Sequence, residues 1–491
     1  MEGTRESLLK TIITWVNNDS GQKDAGNTYW VYSLPGIGKT TLAHSVCASL
    51  HDRKQLAGAF FCRRDDPNLS EPRNILPTLI YKLSIIFPLF RTVVAESLRN
   101  DPNLTPESMK YTLFRDLIDK LPRPPTRTLV FVIDAFDESG DNRSRPGVLK
   151  VLAHAAAQAP WLKIIITSRP ETDIQRVFDS LPPSSYLLYD LAADKTATSD
   201  LRVFTEARFR RVAEERCLPS SWPEQSLLNR IVSRAAGLFI FIETISLALE
   251  RCDDPTELLT ATLEDPAGGS LNTLYQLYSS ILNARIVHNH AKFQRVIGVL
   301  LATAPYRPLC EETIRELAGV DVSHVKTWVN NLSSLLYRDE RASGAIRVRH
   351  LSISDFFVSN DCPRNYRVDL GEANAQLGAV CLKTMVCQLR FNICKLEDSR
   401  LANTAVRDLQ SRIGDNISGT LQYSSLYWSN HLCFLPDNRD WHALKEFVEG
   451  LYPLFWIEVL SIMGMVLHGA PNLRRAISWV KVSNSSLQSS F

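Results

Sequence analysis

The sequence predicts an α/β core, a parallel sheet with helices on both faces, followed by a mostly α-helical half. Three observations predict it. Short apolar runs alternate with helical patterns up to residue 193, a glycine-rich turn follows the first run, and strand-like runs become rare after Asp194. The runs are "YWVYSL" at 29–34, "LAGAFFC" at 56–62, "TLVFVID" at 128–134, "LKIIIT" at 162–167 and "SYLLYDL" at 185–191. Their β-branched and aromatic residues, without polar alternation, describe strands buried on both faces.

Each element follows from its local pattern. From Thr4 to Val16, apolar residues recur at helical spacing (Leu8, Leu9, Ile12, Ile13, Trp15, Val16), with Thr4 at an N-cap position. The proline-rich "LPRPPTRT" at 121–128 leads into the third run. In the helical half, "SSLLYRDERASGAIRVRH" at 333–350 reads as two short strands around a polar, glycine-containing turn. Helices from about 291 followed by such a hairpin suit a winged-helix-like domain. Aromatic residues past 420 ("YSSLYWSNH", "LYPLFWIEVL") fall at core spacing. The expected divisions are 1–27 (N-terminal helix and linker), 28–193 (α/β core), 194–290 (helical), 291–370 (winged-helix-like) and 371–491 (helical).

Composition narrows the class. A chain of 491 residues exceeds one simple core. With 45% hydrophobic and 22% charged residues it is globular rather than disordered. The net charge is +2 and no Lys/Arg-dense run carries interleaved aromatics, so no nucleic-acid partner is expected. Ten cysteines without a C-x-x-C pair read as free, mostly buried thiols in a reducing compartment. Cys381, Cys387 and Cys394 could line one side of a helix, but no histidine or acid beside them completes a ligand set. The N-terminus "MEGTRESLLK" lacks a signal-peptide core. The apolar stretches Ala235–Leu249 and Pro453–Leu467 are too short for a bilayer and contain Glu243 and Glu458. A cytoplasmic protein with no membrane contact is expected.

The glycine-rich turn, "SLPGIGKTT" at 33–41, follows a strand and opens a helix. Phosphate needs converging backbone N–H groups and the positive end of a helix dipole. Gly36, Ile37, Gly38, Lys39, Thr40 and Thr41 are the expected nucleotide-binding residues of the turn, with Gly36 and Gly38 where a side chain would obstruct the backbone. Lys39 would reach the β- and γ-phosphates, Thr40 would place a hydroxyl on Mg²⁺, and Thr41 continues the first helical turn. The pattern G-x-x-x-x-G-K-[ST] would have glycine at position 33, where this chain has Ser33. Serine fits there, at a cost if φ must be positive.

Two later strands supply the rest. "LVFVIDAFDE" ends a buried strand in Asp134 and continues to Asp137 and Glu138. Such an aspartate can hold Mg²⁺, and a following acid can orient or deprotonate water; acids ending a strand also serve as helix caps. "IIITSRPE" places Thr167, Ser168 and Arg169 at a strand's carboxyl end, where open α/β sheets bind ligands. Arg169 could stabilise charge on a γ-phosphate or form a salt bridge with Asp134 or Asp137, and the two roles are compatible. His350 in "RVRHLSISDFF" could be a ligand or a satisfied structural residue, and Gly237 in "AAGLFIFI" a contact near the base or a packing site. No G-x-S-x-G elbow or Cys–His pair suggests nucleophilic catalysis.

Taken together, "YWVYSLPGIGKTTLAHSVC", "LAGAFFCRRD", "ILPTLIYKLS", "FVIDAFDESG" and "IIITSRPE" resemble the NACHT domains of fungal STAND-type P-loop NTPases, relatives of animal and plant immune receptors. "AAGLFIFIETI", "LNTLYQLYSSIL", "RVRHLSISDFF", "CLKTMVCQLRFNIC", "LQYSSLYWSNHL" and "WIEVLSIMG" look like the segments such proteins place before a WD-repeat propeller. The resemblance implies an α/β P-loop NTPase core that binds ATP/ADP or GTP/GDP with Mg²⁺. Lys39 would contact phosphates, Thr40 and Asp134 would serve the metal, Asp137 and Glu138 would handle water, and Arg169 would be the first sensor. His350 would match the histidine that holds the β-phosphate of ADP in the resting state. Phe239 stands where many relatives have a proline near the adenine, and the chain shows neither an effector domain nor a propeller. The implied function is a switch, ADP-bound and closed or ATP-bound and open, with slow hydrolysis, protein partners and possible self-association. The rival expectations are a scaffold whose site has decayed, disfavoured by the retained acids, and a P-loop kinase, for which no acceptor pocket is apparent.

Overall fold

The computed structural model describes residues 4–17, 26–100, 112–120, 125–194, 196–219, 221–264, 270–398, 401–435 and 441–488. Residues 1–3 and 18–25 of the expected 1–27 helix and linker, residues 121–124 of the proline-rich loop and the last three residues lie outside the described residues. Two compact units form: residues 1–280 with 350–352, and residues 281–349 with 353–491.

The first unit is built on five parallel strands: β1 (Thr28–Tyr32), β2 (Leu56–Phe61), β3 (Leu129–Asp134), β4 (Leu162–Ser168) and β5 (Tyr186–Asp190), in the order β2-β3-β4-β1-β5. They lie within two residues of the apolar runs that predict them. The central β3 and β4 are buried along their whole length, which is why they read as nearly unbroken apolar runs. β5 departs from the expected burial on both faces: it is an edge strand, and Leu188 is half exposed. β4 lies between β1 and β3, which brings the ends of three strands side by side.

Packing on the sheet joins Phe131, Ile133, Ile164 and Ile166 to Phe90, Phe114, Leu152 and Phe178 in one apolar cluster. Trp30 stacks on Phe178 with ring centroids 4.4 Å apart, and its indole N–H donates to Ser168 Oγ at 2.8 Å. A buried indole needs such a partner for its N–H. The N-terminal helix, Glu6–Asn17, is fastened by Lys163, a buried β4 lysine that donates to the carbonyls of Trp15 and Val16. A cation at a helix C-terminus meets unsatisfied carbonyls and the negative end of the dipole.

The second unit begins with helices His290–Thr303, Glu311–Ala318 and Val322–Asn331, followed by β6 (Leu336–Asp339) and β7 (Ala345–Val348). These two strands pair antiparallel where the sequence predicts them, and Gly344 takes φ +73° in the turn. Farther on, helix Leu370–Gln388 packs closely on Gly419–Leu432, since a Cβ at Gly378 would lie 3.1 Å from the His431 backbone. Trp428, Trp456 and Tyr423 are fully buried there, as their spacing predicts.

No disulfide joins any of the ten cysteines, and Cys217, Cys387 and Cys433 are exposed. Cys381 lies buried in helix Leu370–Gln388 and Cys394 lies beyond its end, so the three cysteines do not line one helix side. Among the described residues no helix is long and apolar enough to cross a membrane.

Candidate functional site

The turn at 33–41 is shaped by its two glycines. Gly36 takes φ +83° and Gly38 φ +97°, left-handed values that L side chains rarely adopt. Gly36 is also enclosed: a Cβ there would lie 2.2 Å from Ile240 Cγ2, and the Gly36 carbonyl accepts from Ile240 N at 3.2 Å. Gly38 precedes helix Lys39–Asp52, whose first turn carries Lys39, Thr40 and Thr41; Ile37 is buried. Ser33 keeps a negative φ and is buried at the strand exit, so serine there carries no left-handed strain.

Lys39 Nζ reaches back over the turn, donating to the Ser33 carbonyl at 2.8 Å and the Leu34 carbonyl at 2.9 Å. Burial lowers its pKa to about 8, although Asp137, Asp134 and Glu138 lie close enough to oppose the shift. Its third contact is Ser33 Oγ at 3.3 Å, the longest of the three and the one an anion would most readily replace.

Asp134 ends β3 and is buried; burial raises its pKa, opposed by hydrogen bonds from Thr167 and Thr40. Thr40 and Asp134, separated by 94 residues, therefore touch. Thr167 Oγ1 donates to Asp134 Oδ1 and accepts from Ala135 N at 3.0 Å. Ala135 itself is left-handed, at φ 51° and ψ 46°, which gives a physical reason for a small side chain after the aspartate.

The two remaining acids have different surroundings. Asp137 accepts from Arg169 N at 3.0 Å and pairs with Arg169 Nε at 3.3 Å. Glu138 accepts from Arg64 N at 3.2 Å, and burial followed by repulsion from Asp137 pushes its pKa up to about 7. A carboxyl near that value can exchange a proton at neutral pH.

His350, grouped with the first unit, completes the set. Burial of the ring, with Arg169 and Lys39 adding repulsion, lowers its pKa to about 3. The structure thus brings together Lys39, Thr40, Asp134, Asp137, Glu138, Arg169 and His350. Phe239, also near the turn, opens helix Phe239–Leu249, with its ring 3.8 Å from a Cβ placed on Gly38. Gly237 takes φ +86° with open space around it, so its glycine answers a backbone need rather than a packing one.

Two arginines escape the sequence reading. Arg5, 5% exposed, donates to the Ile37 carbonyl at 3.3 Å, pairs with Asp194 at 2.8 Å and lies over the Phe239 ring. Arg145 donates to the Asp137 carbonyl at 2.5 Å and forks onto both oxygens of Asp173. These polar partners lie 8 to 189 residues away and the Phe239 ring farther still, and no local pattern marks either arginine.

The arrangement fits a phosphate group and a divalent cation: a turn no side chain could enter at Gly36, a lysine held over that turn, and the exposed Thr40 hydroxyl beside the buried Asp134 carboxylate. Among the described residues no group of three or more His, Cys, Asp or Glu could hold a metal ion. A cation here would rest on Thr40, Asp134 and phosphate oxygens, as Mg²⁺ commonly does.

Residues 3–169, about a third of the chain, match the family described as "Nephrocystin 3, N-terminal". Among curated proteins, none matches this sequence. Among solved structures, a Walker-type ATPase of Pyrococcus abyssi is similar at 14% identity and TM-score 0.33, covering 72% of this chain and 95% of that one. A STAND protein with a tetratricopeptide repeat sensor from Pyrococcus horikoshii gives 14% and 0.39, covering 96% of this chain and 63% of that one. The Aeropyrum pernix Orc1 protein, solved in complex with DNA, gives 14% and 0.31, covering 73% and 92%.

Proposed function

We propose that this protein is a nucleotide-operated switch that binds and slowly hydrolyses ATP or GTP. The observation that supports it best is the convergence of Lys39, Thr40, Asp134, Asp137, Glu138 and Arg169 from three adjacent strand ends. In this reading the amides of 36–41 and Lys39 hold the phosphates, and Thr40 and Asp134 hold Mg²⁺. The metal, when bound, neutralises charge between phosphate oxygens. Glu138 takes a proton from the attacking water, because Asp137 is already engaged by Arg169. Arg169 faces the γ-phosphate and responds to its presence or loss.

His350 holds the diphosphate form in a closed state, and triphosphate favours an open state able to assemble with other copies or protein partners. Each nucleotide shifts that equilibrium only by its difference in affinity for the two states, about 1.4 kcal/mol per factor of ten. Calorimetric titration of the wild type and Lys39→Ala with ATP, ADP and GTP tests the reading. Binding by the wild type and its loss in the variant are expected; equal affinities would overturn it. Denaturing the purified protein and identifying a released nucleotide reports the resting state.

A further inference from the structure

We propose that Ser352 and Tyr278 are positioning residues that hold His350 in the tautomer with its proton on Nε2. The inference rests on reading His350 as a nucleotide contact and adds what sets the direction of that contact. The three side chains form a chain within the first unit. Ser352 N lies 3.2 Å from His350 Nδ1, Ser352 Oγ lies 2.7 Å from the same nitrogen, and Tyr278 OH lies 2.8 Å from Ser352 Oγ. Both Ser352 and Tyr278 are 0% exposed.

The chemistry gives the chain one consistent direction. A backbone amide can only donate, so Nδ1 must accept, and the proton of a neutral ring then sits on Nε2. Ser352 Oγ can donate to the same nitrogen while it accepts from the Tyr278 hydroxyl. The ring is neutral at physiological pH because burial and the neighbouring Arg169 and Lys39 oppose its protonation. His350 therefore offers a neutral N–H donor beside two cations. The other tautomer would present a lone pair on Nε2 and repel a phosphate oxygen. Hydrogen bonds made by the second ring nitrogen set the tautomer in this way at metal sites as well.

The test combines spectroscopy with a double-mutant cycle on the full chain. In ¹⁵N spectra of histidine-labelled protein, assigned with His350→Gln, Nδ1 of His350 should resonate as an unprotonated nitrogen and Nε2 as a protonated one. The reverse pattern overturns the proposal. Ser352→Ala should weaken ADP binding about fivefold to tenfold, the worth of one neutral hydrogen bond, and Tyr278→Phe a few-fold. Ser352→Thr, which keeps the hydroxyl, should restore binding. In a His350→Ala background, Ser352→Ala should have no further effect, whereas additive losses would overturn the coupling. If His350→Ala binds ADP like the wild type while the Nε2–H tautomer is observed, the nucleotide contact fails and the tautomer assignment stands.

Discussion

Arg169 holds Asp137 from two directions, donating its backbone N–H to Oδ1 at 3.0 Å and pairing its guanidinium with Oδ2 at 3.3 Å. The pair joins the end of β4 to the turn after β3 and divides the acids into one engaged and one available. If Asp137 serves mainly to aim Arg169, Arg169→Ala and Asp137→Ala should slow hydrolysis by similar factors. The double variant should be little worse than either, with nucleotide affinity changed much less. Single-turnover kinetics of all three provides the measurement; additive losses would show two independent roles.

Glu138→Gln should lower turnover by about 10²–10⁴, the usual contribution of a positioned proton acceptor, and leave binding nearly intact. The acceptor must be deprotonated, and its pKa is raised to about 7. Turnover should therefore fall as pH drops through about 7, and the variant should lose that acid limb. A profile of kcat/KM between pH 5.5 and 8 provides the check. An unchanged limb in Glu138→Gln would assign the proton transfer elsewhere.

Gly36→Ala and Gly237→Ala separate strain from obstruction. Both glycines are left-handed, but only at Gly36 would the added carbon meet a neighbour, Ile240 at 2.2 Å. Gly237→Ala should cost about 1–2 kcal/mol from backbone strain alone. Gly36→Ala should cost more and should also weaken nucleotide binding. Urea denaturation with calorimetry distinguishes the two, and equal effects would remove the special role given to the Gly36 cradle.

Thr167→Val removes a donor to buried Asp134 and an acceptor for Ala135 N while keeping a similar shape. Losing partners for two buried groups should destabilise the protein by about 1–3 kcal/mol. Thr167→Ser should recover most of it. Denaturation midpoints at pH 7 decide; a stable Thr167→Val would mean that Asp134 finds another donor.

Acid should destabilise the second unit through His431. This residue is 0% exposed, donates from Nδ1 to Asn374 Oδ1 at 2.8 Å and accepts at Nε2 from the Tyr423 hydroxyl at 2.8 Å. Both ring nitrogens are thus satisfied in the neutral form, and burial lowers the pKa to about 4. Between the ordinary value near 6.5 and about 4, the unfolded chain binds a proton that the folded chain does not. Stability should fall as pH drops through that window, by roughly 3 kcal/mol at its lower end. In the first unit, His350, whose pKa burial also lowers, adds a loss of the same sign. Urea denaturation at pH 7, 5.5 and 4.5 should show the slope, and His431→Gln should flatten it.

Local chemistry made part of this protein readable in its sequence. Buried parallel strands need unbroken apolar runs, so β1–β4 stand out to within two residues, and β5 does too although its edge position does not. The turn at 33–41 is legible because positive φ at residues 36 and 38 demands glycine, and Lys39 and Thr40 follow directly. By contrast, nothing local marks Arg5, Arg145 or Tyr278, whose roles come from partners far along the chain.

What the sequence determines by itself is therefore the identity of the strands, the glycine turn and the acids that end β3, because each answers to neighbours a few residues away. Only tertiary structure decided the strand order that sets β4 between β1 and β3. That order brings Arg169 onto Asp137, Thr167 onto Asp134 and Thr40 into reach of the same carboxylate. Ser33 shows the difference in one residue. Its identity departs from the motif, but its negative φ, which only the folded backbone reveals, makes the departure free of left-handed strain.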